Sequence, residues 1–127
     1  MKNSRIFLLI SSASGMLAVA LGAFGAHAVK ALLTQNQRLD TYELAVRYHF
    51  YHTLALFGIA LLMNKQEHKT LTLSAYSMIT GTVLFSGSLY VLALFNTTSV
   101  ALITPLGGVF LLAGWSLLFY SVLKNRT

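Results

Sequence analysis

Apolar and polar positions do not alternate along this chain. The apolar residues run together in four stretches, broken only by glycine and weakly polar or single ionisable side chains, over residues 6–29, 45–63, 71–95 and 105–123. Each stretch approaches the roughly 20 residues that a helix rising 1.5 Å per residue needs to cross a hydrocarbon core about 30 Å thick. Helices that are apolar nearly all round have no wet face to offer, so the surroundings they call for are lipid. The pattern predicts an all-α polytopic membrane protein, a bundle of four transmembrane helices forming one domain over residues 1–127.

The polar gaps set the boundaries. Lys30 to Asp40 separates the first two runs, and Asp40-Thr41-Tyr42-Glu43 has the form of a capping box, placing the start of the second helix near Thr41. Tyr42, Tyr48 and Tyr51 follow where that helix would enter lipid, the depth at which phenol rings anchor with their hydroxyls wet. Asn64 to Thr70 makes a short turn, and Asn96 to Ser99 an uncharged one. Thr104 before the only proline, Pro105, suits the cap and first turn of a fourth helix. Lys2, Arg5 and the Ala26-His27-Ala28 triplet resemble a cleavable leader, but about 20 apolar residues precede the triplet, longer than the usual 7 to 15, so a retained span is expected. With the amino terminus cytoplasmic, Lys2, Arg5, Lys65, Lys69, Lys124 and Arg126 lie inside and Lys30, Arg38 and Arg47 outside. Six against three predicts that both termini are cytoplasmic.

Composition narrows the chemistry. Only 9% of residues are charged, against about a quarter in soluble domains. The net charge of +6 comes from basic residues scattered singly at the ends of apolar runs, which sets topology and offers no nucleic-acid patch. With no cysteine there is no thiolate nucleophile, disulfide or Cys-ligated metal. Asp40, Glu43 and Glu67 are the only carboxylates and each has a local explanation, so no acid/base pair or Ser-His-Asp relay is assembled. Small residues recur at helical spacing, as in Ser14, Ala18, Gly22 and Ala26, the signature of close packing in lipid. Gly22, Gly25, Gly81, Gly87, Gly107, Gly108 and Gly114 are the expected packing positions, with Trp115 as a mid-span anchor.

The candidate site rests on depth. His27 lies three residues before Lys30 and His52 five after Arg47, which counts to roughly 5 to 8 Å inside the outer boundary. Tyr90 and Thr104 fall in the same leaflet, and these four residues are the expected polar or ligand cluster. Ionisable groups within spans default to functional hypotheses, although near an interface they can simply bond each other.

Four ordered motifs then carry a resemblance: Gly22 to His27; Tyr48 to His52 with Leu54-Ala55-Leu56; Ser86 to Tyr90; and Thr104 to Gly108 with Gly114-Trp115. Together they resemble the small membrane proteins of the YgdD/YwdK type, domain-of-unknown-function family 423, which includes animal transmembrane protein 256. The resemblance covers essentially the whole chain and implies an integral protein of the bacterial inner (cytoplasmic) membrane, without supplying an activity, substrate or cofactor. His49 departs from the family pattern, where glutamine is expected, and this sets His52 ahead of it as a site residue. The expected function is a small helical scaffold or accessory subunit packing on itself, as a homo-oligomer, or on a larger membrane complex. The alternative is a ligand site using His27 and His52 for haem, a quinone or a metal. A small-solute transporter ranks lower, because no charged midplane residue or broken-helix pair is present.

Overall fold

A computed structural model describes residues 2–125, apart from the Lys2 side chain. Met1, Arg126 and Thr127 lie outside the described residues, so two of the basic positions that set the expected orientation, Lys2 and Arg126, carry no side-chain placement. Every regular element among the described residues is a helix: α1 (Lys2–Ala26), α2 (Lys30–Gln35), α3 (Leu39–Lys65), α4 (Lys69–Phe95), a 3-10 helix (Thr98–Leu102) and α5 (Ile103–Lys124). Three stretches are long and apolar enough to cross a membrane, Asn3–Ala26, Lys69–Phe95 and Thr98–Lys124. The 27-residue α3 is as long as α4 but less apolar, because it carries Asp40, Glu43, Arg47, His49 and His52.

The helix starts differ from those expected. Arg38 occupies the N-cap of α3, no side chain caps it, and Asp40 falls in the first turn, where a carboxylate still meets the positive end of the helix. α5 starts at Ile103 behind Leu102, whose φ of −70° and ψ of −22° are already helical. The 3-10 helix thus runs directly into α5 and needs no polar cap, which frees the Thr104 hydroxyl to bond Ser88 on α4 at 2.6 Å.

α3 and α4 form a central antiparallel pair, with α1 packed along α3 and α5 along α4. Serines tie the pairs together across helices. Ser74 donates to the Gly114 carbonyl (2.7 Å), Ser86 to the Ala45 carbonyl (2.8 Å), and Ser121 to Thr70 (2.6 Å). At one end of the bundle, the Ser4 hydroxyl lies 2.8 Å from the Ala60 carbonyl and from the Asn64 amide oxygen, next to a core of Phe7, Ile59, Met63 and Leu71. At the other end, Leu33 of α2 packs with Tyr42 and Ala93. There the Asn36 amide donates to the Ala93 carbonyl (3.1 Å), one of the carbonyls a helix leaves free at its C-terminus. Asn96, at φ 53°, closes α4 in the left-handed conformation that asparagine tolerates.

Close approach of backbones decides which glycines matter. A Cβ on Gly107 would fall against the backbone of Phe85, one on Gly81 within 2.8 Å of the Leu111 nitrogen, and one on Gly114 3.0 Å from the Met78 sulfur. These three seat α5 on α4. Gly25 faces the Tyr42 ring just as tightly, whereas Gly22 meets only an ordinary contact with Val46 at 3.5 Å. Gly108 is nearly open, with Phe85 3.9 Å away, and a Cβ on Gly87 would meet nothing within 4 Å.

Candidate functional site

A chain of polar side chains crosses the middle of the bundle from α4 through α3 to α1. The His49 Nδ1 lies 2.9 Å from the Tyr90 hydroxyl and its Nε2 2.9 Å from Ser14 Oγ, which in turn lies 2.6 Å from Thr53 Oγ1. His49 and Thr53 are buried, one turn apart on the face of α3 turned toward α1 and α4. Ser14 sits halfway along α1, about 18 Å from either helix end at 1.5 Å per residue.

His52 belongs to a separate arrangement. Its Nδ1 lies 2.8 Å from the Tyr48 carbonyl, and its Nε2 accepts from the Trp115 indole N–H at 3.0 Å. A carbonyl can only accept and an indole N–H can only donate, so the partners fix the neutral Nδ1–H tautomer and occupy both ring nitrogens. A metal or haem iron at Nε2 would have to displace Trp115. Among the described residues no group of three or more His, Cys, Asp or Glu side chains could hold a metal ion. Trp115 is 46% exposed, so it leans over the bundle surface to reach His52 and is not buried as an anchor.

The four sequence-predicted residues are not brought together. His27 lies exposed in the turn after α1, and its ring has no side-chain partner among the described residues. His52 sits level with Ser14, 13 residues earlier on α1, which is about 20 Å of helix. The depth count fails because α3 begins at Leu39 and is paired with α1 so that Tyr42 meets Gly25. His52 is therefore carried to the middle of the bundle. Thr104 bonds Ser88 at the α5 start and stays outside the chain, and only Tyr90 joins it. The residues passed over were His49, Ser14 and Thr53. For His49 and Thr53 the signal was present in α3, where positions 49, 52 and 53 put polar groups on one face of the helix.

Beside this chain, α1, α3 and α4 enclose a groove of about 410 Å³, with His49, Thr53 and Tyr90 among its lining residues. Two ring pairs lie along the same helices. Phe7 meets Tyr76 edge-on at 5.3 Å on one side and Tyr42 meets Tyr90 at 5.3 Å on the other, where the Tyr42 hydroxyl donates to the Leu21 carbonyl. The side of the groove is open between α1 and α4, and Ile10, Leu17 and Val83 along that rim are exposed.

Long apolar helices joined by buried serine and histidine bonds, with an apolar exterior, define a polytopic integral membrane protein. The chain belongs to the family of proteins of unknown function DUF423, which matches residues 21–108. It is 39% identical over 124 residues to the UPF0382 inner membrane protein YgdD of Escherichia coli K12, covering 98% of this chain and 94% of that one. It is 36% identical over 121 residues to the UPF0382 membrane protein YwdK of Bacillus subtilis, covering 94% and 98%. A UPF0382 membrane protein of Haemophilus influenzae is 37% identical over 127 residues, covering 100% and 99%. No solved structure matches the chain.

Proposed function

We propose that the protein is a small helical scaffold or accessory subunit of the bacterial inner membrane. In this reading it spans the bilayer four times, keeps both termini cytoplasmic, and packs on itself or on a larger membrane complex. The observation that carries the scaffold reading is the position of α1 and α5 on opposite sides of the central α3 and α4 pair. Each leaves most of its length uncovered. In α5 only Gly107, Leu111, Gly114 and Ser121 are buried, and Val109, Leu112 and Phe119 form an exposed apolar row. Among the described residues no buried side-chain nitrogen or oxygen is without a hydrogen-bond partner. The inner membrane is the location named for the Escherichia coli relative.

The absence of cysteine makes the test clean. Single substitutions Val109→Cys, Leu112→Cys and Phe119→Cys, oxidised in native membranes, should give a crosslinked dimer or a crosslink to one discrete larger partner. The same substitution at Leu9 or Met16, exposed on α1, tests the opposite edge. Monomeric protein at every position would remove the scaffold reading.

A further inference from the structure

The polar chain beside the groove carries more protons than its contacts use. Tyr90, Ser14 and Thr53 each bring one hydroxyl proton and a neutral His49 brings one N–H, so four protons serve three contacts. The chain can run in either direction. If Tyr90 donates to His49, His49 to Ser14 and Ser14 to Thr53, the Thr53 proton is left over. If the order reverses, the Tyr90 proton is left over, and if Thr53 donates to a Ser14 that already accepts from His49, the Ser14 proton is left over. Tyr90, Thr53 and Ser14 all line the groove, so in each case the residue with the spare proton stands at the groove wall. A donor without an acceptor in an apolar setting is costly, and a bound oxygen acceptor would relieve that cost.

The surroundings restrict what brings the acceptor. No Lys, Arg, Asp or Glu lines the groove, so nothing there balances a phosphate or an ammonium. Ser14, with His49 and Thr53 bonded to it, lies near the middle of α1 and far from both its ends, beyond the reach of a phospholipid head group held at the interface, and Tyr90 joins them from a position five residues before the end of α4. The exposed rim of Ile10, Leu17 and Val83 opens the groove sideways into lipid, which gives an apolar tail a way out. Its volume of about 410 Å³ is within the roughly 300 to 1,000 Å³ of ordinary small-molecule sites.

We propose that this lateral groove binds a neutral, lipid-soluble molecule that presents a carbonyl oxygen to the Tyr90 or Thr53 hydroxyl, the chemistry of a membrane quinone. The site goes beyond the scaffold reading and does not depend on it. It uses neither His27 nor any metal.

The test uses the full chain in lipid nanodiscs with decyl-benzoquinone as the probe. Trp115 is the only tryptophan and bonds His52, which also lines the groove, so its fluorescence reports occupancy. Quenching should saturate at one probe per chain, and decylbenzene, which has the ring and tail without the carbonyls, should not compete. Joint substitution Tyr90→Phe with Thr53→Val should weaken binding about tenfold. Since losing two buried hydroxyls can also disturb the fold, Gly87→Leu is the independent variant. A Cβ at Gly87 meets nothing within 4 Å and Gly87 lines the groove, so the protein should keep its thermal midpoint and lose the saturable component. Quenching that rises linearly with probe, equal competition by decylbenzene, or saturable binding unchanged in Gly87→Leu would each overturn the proposal. So would phospholipid retained by the purified protein that the quinone does not displace.

Discussion

His49 is the residue on which the buried chain turns, since its two ring nitrogens bond Tyr90 on α4 and Ser14 on α1. Replacing it by leucine strands Tyr90 and Ser14 together and should cost about 1 to 3 kcal/mol, whereas glutamine, which can still donate and accept, should cost less. Thermal midpoints in mild detergent would show the difference. Tyr90→Phe combined with His49→Leu should lose less than the sum of the single losses, because both break the same contact. His27→Leu should leave the midpoint unchanged, as its ring is exposed at the turn after α1. The contrast between these two histidines shows what the sequence could carry. The residue types suited to a buried polar cluster were legible, as was their helical spacing in α3. Which of them meet was not, because a partner on another helix depends on the pairing of α1 with α3. Counting inward from Lys30 and Arg47 assumes that both mark the same depth. Arg47 instead stands two turns into a helix that has already packed Tyr42 against Gly25.

At the level of the helices, the four long elements follow the apolar runs because length and burial in lipid leave little choice, and the extents differ mainly where polar ends extend a helix beyond its apolar part. α2 was not foreseen. It is a short amphipathic piece whose Leu33 is buried under Tyr42 and Ala93, a role that only the packed neighbours reveal. The glycines divide in the same way, since a sequence shows that a residue is small but not what faces it. Gly107→Ala should destabilise the protein by about 1 to 3 kcal/mol through overpacking against the Phe85 backbone. Gly87→Ala meets no atom within 4 Å and should be neutral or stabilising by up to about 1 kcal/mol, the helix propensity gained over glycine. Detergent-solubilised variants followed by thermal aggregation would rank the two, and equal midpoints would mean that α4 and α5 do not touch through Gly107.

For the whole molecule, the question that follows from the fold is which end faces the cytoplasm. α3 falls outside the three plainly apolar helices, yet it is flanked by α1 and α4 from the contact of Ser4 with Asn64 at one end to that of Leu33 with Tyr42 and Ala93 at the other. If its two neighbours span, a helix held lengthwise between them would share their depth, with its histidines inward where their partners are. That supports four crossings and both termini on one side. The cross-helix bonds also sort the charges. Arg5, Lys65, Lys69 and Lys124 gather at the end where Ser4 meets Asn64 and Thr70 meets Ser121. Lys30, Arg38 and Arg47 belong to the end where Asn36 and Arg38 reach Ala93 and Asn96. Basic residues are retained in the cytoplasm, so the first end should face inward. A fluorescent protein fused at the carboxyl terminus should therefore fold and glow, and alkaline phosphatase at the same place should be inactive. Gln35→Cys, exposed on α2, should react with a membrane-impermeant maleimide added to cells from the periplasmic side, after the outer membrane is opened where there is one. Active phosphatase at the carboxyl terminus together with an unreactive Gln35→Cys would keep four crossings with the opposite sense, whereas both positions reading outside would mean that the chain crosses an odd number of times and that α3 lies at the surface.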